Sequence, residues 1–130
     1  MTMTKKPTTE ACPCGGGIYA GCCAPYHQGL PAPDAETLMR ARYSAYVLRL
    51  EAYLLATWHA DHRPATLELS ADPTQWLGLT VRHSAEMGER ATVEFVARYK
   101  VNGRAHRLHE ISQFVRENGR WHYIDGIISE

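Results

Sequence analysis

From Ala91 onward two sets of side chains interleave: Ala91, Val93, Phe95, Ala97, Tyr99 and Val101 alternate with Thr92, Glu94, Val96, Arg98 and Lys100. A two-residue period is that of a β-strand, and it predicts that the first set faces a core. Asn102-Gly103 is a dipeptide suited to a two-residue hairpin turn, and Asn118-Gly119 repeats it. Three strands in a meander follow, and Trp76 to His83 offers a fourth.

Upstream the period changes. Met39, Tyr43, Tyr46, Val47, Leu50 and Leu54 recur at three- and four-residue steps, which predicts an amphipathic helix from an N-cap at Asp34 to Trp58. Such a helix would be about 37 Å long at 1.5 Å per residue, long for a small domain, so a break into two packed helices is expected. Nothing in the sequence marks where. Residues 61–74, with Pro64 and Pro73, read as a loop with at most one short helical turn. Residues 24–34 carry Pro25, Pro31, Pro33 and Gly29 and read as a semi-rigid connector.

Helices followed by a curved antiparallel sheet make an α+β domain over residues 34–130. Residues 12–33 form a knuckle and linker before it, and residues 1–11, polar and rich in threonine, form a disordered N-terminus. A chain of 130 residues with 45 % hydrophobic content can hold one such core plus a small appendage. Fourteen basic and fourteen acidic residues cancel, which argues against a general nucleic-acid binder. No apolar run follows Lys5 and Lys6 that could act as a signal-peptide core, and no window approaches the roughly 18 apolar residues of a membrane span. The expectation is a protein of the reducing cytoplasm, with no membrane partner.

The chemistry begins with Cys12, Cys14, Cys22 and Cys23, the only cysteines of the chain. Two close pairs joined by the flexible turn Gly15-Gly16-Gly17 can bring four thiolates to within about 2.3 Å of one zinc ion. A disulfide or redox arrangement and free thiols are the alternatives; vicinal Cys22 and Cys23 make an awkward disulfide, so oxidation would join the two pairs. The expected cofactor is one structural zinc. Four cysteines leave no open coordination position, which sends any chemistry elsewhere.

Counting outward from Asn102-Gly103 pairs Tyr99 with His106, Ala97 with Leu108, Phe95 with Glu110 and Val93 with Ser112. Counting from Asn118-Gly119 pairs Phe114 with Tyr123, Ser112 with Asp125 and Glu110 with Ile127. Glu110 and Asp125 then share the apolar face with His106, Ser112, Tyr99 and Tyr123 as ligand-pocket candidates, while His109 points to the other side. Carboxylates among aromatics suit general acid or base work, or the grip of a cationic or hydroxylated ligand. The plainer alternative pairs Glu110 with Arg40 or Arg42 and lets Asp125 cap the turn at Gly126. A one-residue slip in register would move either acid to the opposite face. His59, His62 and Asp61 could hold a metal but suit a polar helix end. His27 could replace a cysteine as ligand or be a linker histidine, and Arg40, Arg42 and Arg49 could meet a phosphate or flank a solvated helix. Tyr43, Tyr46, Trp58, Trp76 and Trp121 read as core.

These residues carry a resemblance. Cys12-Pro13-Cys14-Gly15, with Tyr19 and Cys22-Cys23, resembles the SEC-C zinc motif known from the tail of the bacterial preprotein translocase motor, where it contacts the export chaperone. Pro25-Tyr26-His27, the run from Leu38 to Tyr46, Tyr53-Leu54, Thr57-Trp58-His59, His109 to Ser112 with Phe114, and Trp121 to Gly126 resemble the YchJ-like family of bacterial proteins. The resemblance implies a SEC-C-like knuckle followed by a nuclear-transport-factor-2-like cone, a curved sheet wrapped on helices. One departure is local: seven residues separate Cys14 from Cys22 where the motif usually has eight, and the basic residues usual before the final pair are missing. The functional expectation is a zinc-binding accessory or adaptor protein whose knuckle meets a protein or ribosomal partner, with no catalytic residue assigned. The alternative is a small-molecule pocket protein or proton-transfer enzyme that uses the carboxylates inside the cone.

Overall fold

A four-stranded antiparallel sheet in the order β1-β2-β3-β4 carries the domain, with β1 at Gln75–Met87, β2 at Arg90–Val101, β3 at Arg104–Glu117 and β4 at Arg120–Ser129. The computed structural model describes residues 10–129. The two Asn-Gly pairs close their hairpins as expected: Asn102 and Gly103 have φ of 53° and 81°, Asn118 and Gly119 of 54° and 78°. Positive φ at both central residues matches the right-handed twist of the flanking strands. The β2/β3 register is the one counted from the turn, with Phe95 opposite Glu110 and Val93 opposite Ser112. Strand β1 runs beyond His83 to Met87, where its side chains are exposed and the ladder to β2 holds it in place of burial.

The β3/β4 register departs from the count. Phe114 faces Tyr123 as expected, but Gln113 then faces Asp125, so Ile124 is an extra residue on β4. Ser112 therefore faces Gly126 and Glu110 faces Ile128. Asp125 is turned to the outer face and is exposed. The cause is tertiary: at this bulge β4 also pairs with the chain after the helices, Tyr123 N–H donating to Thr57 O and His59 N–H to Tyr123 O, both at 2.8 Å. Trp58 Nε1 donates to the Ile124 carbonyl at 3.2 Å and holds the extra residue in place.

Helix α1 is one turn at Ala24–His27, α2 spans Ala35–Leu48 and α3 spans Glu51–Ala56. Asp34 caps α2 by accepting from Thr37 N–H at 2.8 Å. The break that the long periodic segment requires falls at Arg49, which adopts a left-handed conformation with φ of 60°. Its guanidinium donates to the carbonyls of Leu69 and Asp72. Glu51 accepts from Leu67 N–H and Leu69 N–H at 3.1 and 3.2 Å, so the two residues beside the break tie down the following loop. That loop contains a single 3-10 turn at Leu69–Ala71.

The core lies between α2 and the sheet: Leu38, Met39, Ala41 and Tyr43 pack with Val93, Phe95, Ala97, Phe114 and Trp121. Residues 1–9 of the expected disordered segment lie outside the described residues, whereas Glu10 and Ala11 belong to the knuckle. Ala11 bridges Ile18, and Tyr19 N–H donates to Glu10 O at 2.9 Å. Among the described residues, no helix is long and apolar enough to cross a membrane.

Candidate functional site

Helix α2 separates two sites. On one side lies the cysteine knuckle, built on a tight turn in which Cys12 N–H donates to Gly17 O at 2.8 Å and Gly15 N–H to Cys12 O at 3.0 Å. Gly15 and Gly17 take φ of 83° and 142°, a region side chains disfavour. A Cβ at Gly16 would lie 3.1 Å from the Cys22 sulfur and 3.2 Å from that of Cys14, so the turn is pressed against the thiols. The Sγ atoms of Cys12, Cys14, Cys22 and Cys23 all lie within 4.8 Å of one another. Cys14 Sγ is 3.6 Å from Cys22 Sγ, close to the edge of about 3.8 Å that a tetrahedron with 2.3 Å zinc–sulfur bonds requires.

The thiols perturb one another. Hydrogen bonding, chiefly from Cys23, lowers Cys14 to about 4 against the effect of burial. Burial first, then Cys14, raises Cys22 to about 12. Cys23 is also raised, by its hydrogen bond to Cys14 and by burial. A divalent cation would replace the retained protons in such a soft donor set. The four cysteines fit a metal ion.

The knuckle faces inward. Cys12, Cys14 and Cys23 are buried and Cys22 is half-buried. Ser44, inside α2, lies 3.4 Å from Cys12 Sγ and donates to Cys23 Sγ at 3.3 Å. Arg40 donates to Cys14 O at 3.3 Å. His27 is neither a spare ligand nor a passive linker residue: Nε2 lies 2.8 Å from Ala41 O and Nδ1 2.7 Å from Tyr19 OH. A carbonyl only accepts, so Nε2 carries the proton, Nδ1 accepts from the tyrosine, and the neutral ring fastens the knuckle to α2. Burial lowers its pKa and favours that neutral form.

On its other side α2 roofs a cavity of about 240 Å³ with Met39, Arg42, Tyr43 and Tyr46, facing Trp76 and the concave sheet. Three sequence-predicted residues meet there. Glu110, 9 % exposed, accepts at Oε2 from Ser112 Oγ at 2.6 Å and from Tyr123 OH at 3.1 Å. Gly126 lies against the same carboxylate, so closely that an added Cβ would collide with it. Arg42, 4 % exposed, donates through Nη1 to Leu54 O at 2.8 Å and Thr57 Oγ1 at 2.7 Å. Its guanidinium carbon sits 4.9 Å from the Trp58 ring centroid and 4.5 Å from that of Tyr123. Tyr123 thus meets Arg42 with its ring and Glu110 with its hydroxyl. Burial, then the charge and hydrogen bond of Glu110, raises the Tyr123 pKa, which keeps the hydroxyl protonated as a donor. Burial lowers the Arg42 pKa, while the three tyrosines Tyr46, Tyr123 and Tyr53 and then Glu110 act to raise it.

The remaining candidates lie elsewhere. Asp125 is excluded from the concave face by the bulge at Ile124. His106 is exposed and stacks on Tyr99 at 5.2 Å, and Tyr99 in turn contacts Trp76 at 5.4 Å. Neither His106 nor Tyr99 lines the cavity. His109 pairs with Glu94 at 2.7 Å on the outer face. His59 pairs with Glu117 at 3.1 Å, and among the described residues only the four cysteines bring three or more ligand atoms together. Arg40, Arg42 and Arg49 serve separate partners and form no phosphate cluster. Of the two arginines expected to pair with Glu110, Arg40 bonds Glu36 instead and Arg42 lines the cavity, placed there by its spacing from Met39 and Tyr46, with no ion pair to Glu110 among the described residues.

Comparison with known proteins agrees with this architecture. The family described as YchJ, middle NTF2-like domain, matches residues 34–126. A UPF0225 protein of Methylibium petroleiphilum is 59 % identical, with 98 % of this chain and 96 % of the relative covered. Another from Chromobacterium violaceum is 51 % identical over 97 % of this chain and 98 % of its own length. The solution structure of a SEC-C motif containing protein from Rhodopseudomonas palustris superposes with a TM-score of 0.83 at 34 % identity, covering 92 % of this chain and 99 % of that one. The crystal structure of a SEC-C motif containing protein from Psychrobacter arcticus gives 0.76 at 30 % identity, covering 95 % and 85 %.

Proposed function

The chain belongs to the YchJ-like family, and we propose that it is a zinc-stapled binding protein, in which the knuckle fixes α2 and α2 closes a cone that receives a small molecule. One observation carries the reading: Glu110 is a buried carboxylate that lines the cavity. Oε2 takes two hydrogen bonds, while Oε1 has no hydrogen-bond partner among the described residues. Two donors hold one oxygen of the carboxylate, and the other is accessible and free to accept. It is the arrangement expected of a site that binds.

Binding is favoured over proton transfer because the concave face carries one carboxylate rather than the expected two. Ser112 and Tyr123 donate to it and hold it in place. Zinc supplies no reactive position in this reading, since four cysteines fill its shell. The test is a fragment screen on the zinc-loaded full chain by protein-observed NMR. Hits should shift signals of Tyr46, Trp76 and Ser112, and a screen that never moves those residues contradicts the reading.

An adaptor role, with the knuckle meeting a protein or ribosomal partner, draws on two exposed apolar residues, Ile18 at 47 % and Leu30 at 55 %. Capture of the same partners by intact protein and by Cys22→Ser/Cys23→Ser protein would count against it.

A further inference from the structure

We infer that the cone selects a small, neutral, hydroxyl-bearing ring compound, with the ligand's O–H donating to Oε1 of Glu110; this rests on the binding reading above.

Charge comes first. Arg42 and Glu110 both line the cavity, and their formal charges cancel. Nη1 of Arg42 is committed to Leu54 O and Thr57 Oγ1, and its guanidinium lies against the rings of Trp58 and Tyr123. It acts on a ligand mainly through its charge. A cationic ligand would be attracted by Glu110 and repelled by Arg42, and an anionic one the reverse, so neither gains what a neutral molecule loses.

Hydrogen-bond capacity then fixes polarity. The hydroxyls of Ser112 and Tyr123 spend their hydrogens on Glu110 Oε2, so the floor of the cavity has only acceptors left. A ligand hydroxyl meets that need, since it carries a hydrogen to donate. A carbonyl or ether cannot donate to Oε1 and would leave that oxygen desolvated without a partner.

Shape and size complete the class. Tyr43, Trp76, Phe95 and Phe114 supply apolar walls for a flat body. At roughly 30 Å³ for each water-sized group, a cavity of 240 Å³ holds about eight such groups. That is the size of a monocyclic phenol or alcohol.

The probe is p-cresol, compared with its methyl ether 4-methylanisole, and with benzylamine and benzoate as charged controls. Each is titrated by NMR into the zinc-loaded full chain. We expect p-cresol to bind about tenfold more tightly than the ether, the ratio set by one unmet acceptor, and both charged rings to bind more weakly than p-cresol. In Glu110→Gln, whose amide can donate as well as accept, that ratio should fall to about twofold. Unchanged dispersion of the Glu110→Gln spectrum outside the cavity residues, with an unchanged urea midpoint, guards against a folding artefact in that variant. Equal binding of p-cresol and the ether at Trp76 and Ser112 overturns the donor requirement while leaving a binding cone. No binding of any ring at those residues overturns both.

Discussion

The hydroxyl of Ser44 donates to the sulfur of Cys23 at 3.3 Å from within a helix whose other side roofs the cavity. Ser44 is fully buried, so this contact joins knuckle to domain inside the core. A hydroxyl that donates to a metal-bound sulfur tunes the site from its second layer, and such groups typically change metal affinity by about 10- to 100-fold. Ser44→Ala should therefore weaken zinc retention by about tenfold with the helix content unchanged, measured by competition with a chromophoric chelator. Unaltered competition would show that the contact is incidental.

Arg42 is the buried cation of the cone, and its bonds to Leu54 O and Thr57 Oγ1 join α2 to the end of α3. Arg42→Leu should destabilise the chain by about 1 to 3 kcal/mol, because it leaves the buried Leu54 carbonyl and the Thr57 hydroxyl without their donor. Urea denaturation measures this. The paired variant Arg42→Leu/Glu110→Leu should recover part of the loss, whereas strict additivity would mean that the two groups do not sense each other.

Gly126 is required by the carboxylate beside it, since any Cβ there collides with Glu110. Gly126→Ala should cost about 1 to 3 kcal/mol through overpacking. Combined with Glu110→Ala, the same substitution should cost much less than it does alone. If Gly126→Ala costs the same in both backgrounds, the collision is not its cause.

His122 gives the fold a pH dependence. Its Nδ1 is buried with no partner, and burial lowers its pKa. In the unfolded chain it takes a proton near pH 6.5. Between the lowered folded value and 6.5 the unfolded state binds more protons, so stability is fully present above about pH 6.5 and declines as pH falls below it. His122→Phe should flatten that decline in urea midpoints taken between pH 7.5 and 5.5. An equal slope in the variant would assign the loss to other groups.

The turns made much of the sheet legible. Asn102-Gly103 determines the β2/β3 pairing because a two-residue loop admits one register, and Glu110 and Ser112 fall on the cavity side as counted. The same logic holds for β3/β4 only as far as Phe114 and Tyr123. Beyond them the chain at residues 57–59 pulls a bulge into β4, a long-range contact that no local pattern encodes, and Asp125 is lost from the face. The cysteine cluster was legible because its four ligands are close in sequence. Its burial against Ser44 was not, since serine in a helix carries no mark of a sulfur partner. Arg42 was legible as a possible partner of Glu110, but its bonds to Leu54 O and Thr57 Oγ1 were not, since a guanidinium's choice of a backbone carbonyl leaves no mark in the sequence.

Amide hydrogen exchange on the zinc-loaded full chain, before and after chelation, tests most directly the claim that the knuckle staples the roof of the cone. The account predicts one zinc per chain, and on its removal a loss of protection across α2, at Met39 to Tyr46, of about a hundredfold, reflecting a local loss of stability. Complete removal of the metal with exposure confined to residues 10–23 and α2 still fully protected would contradict it.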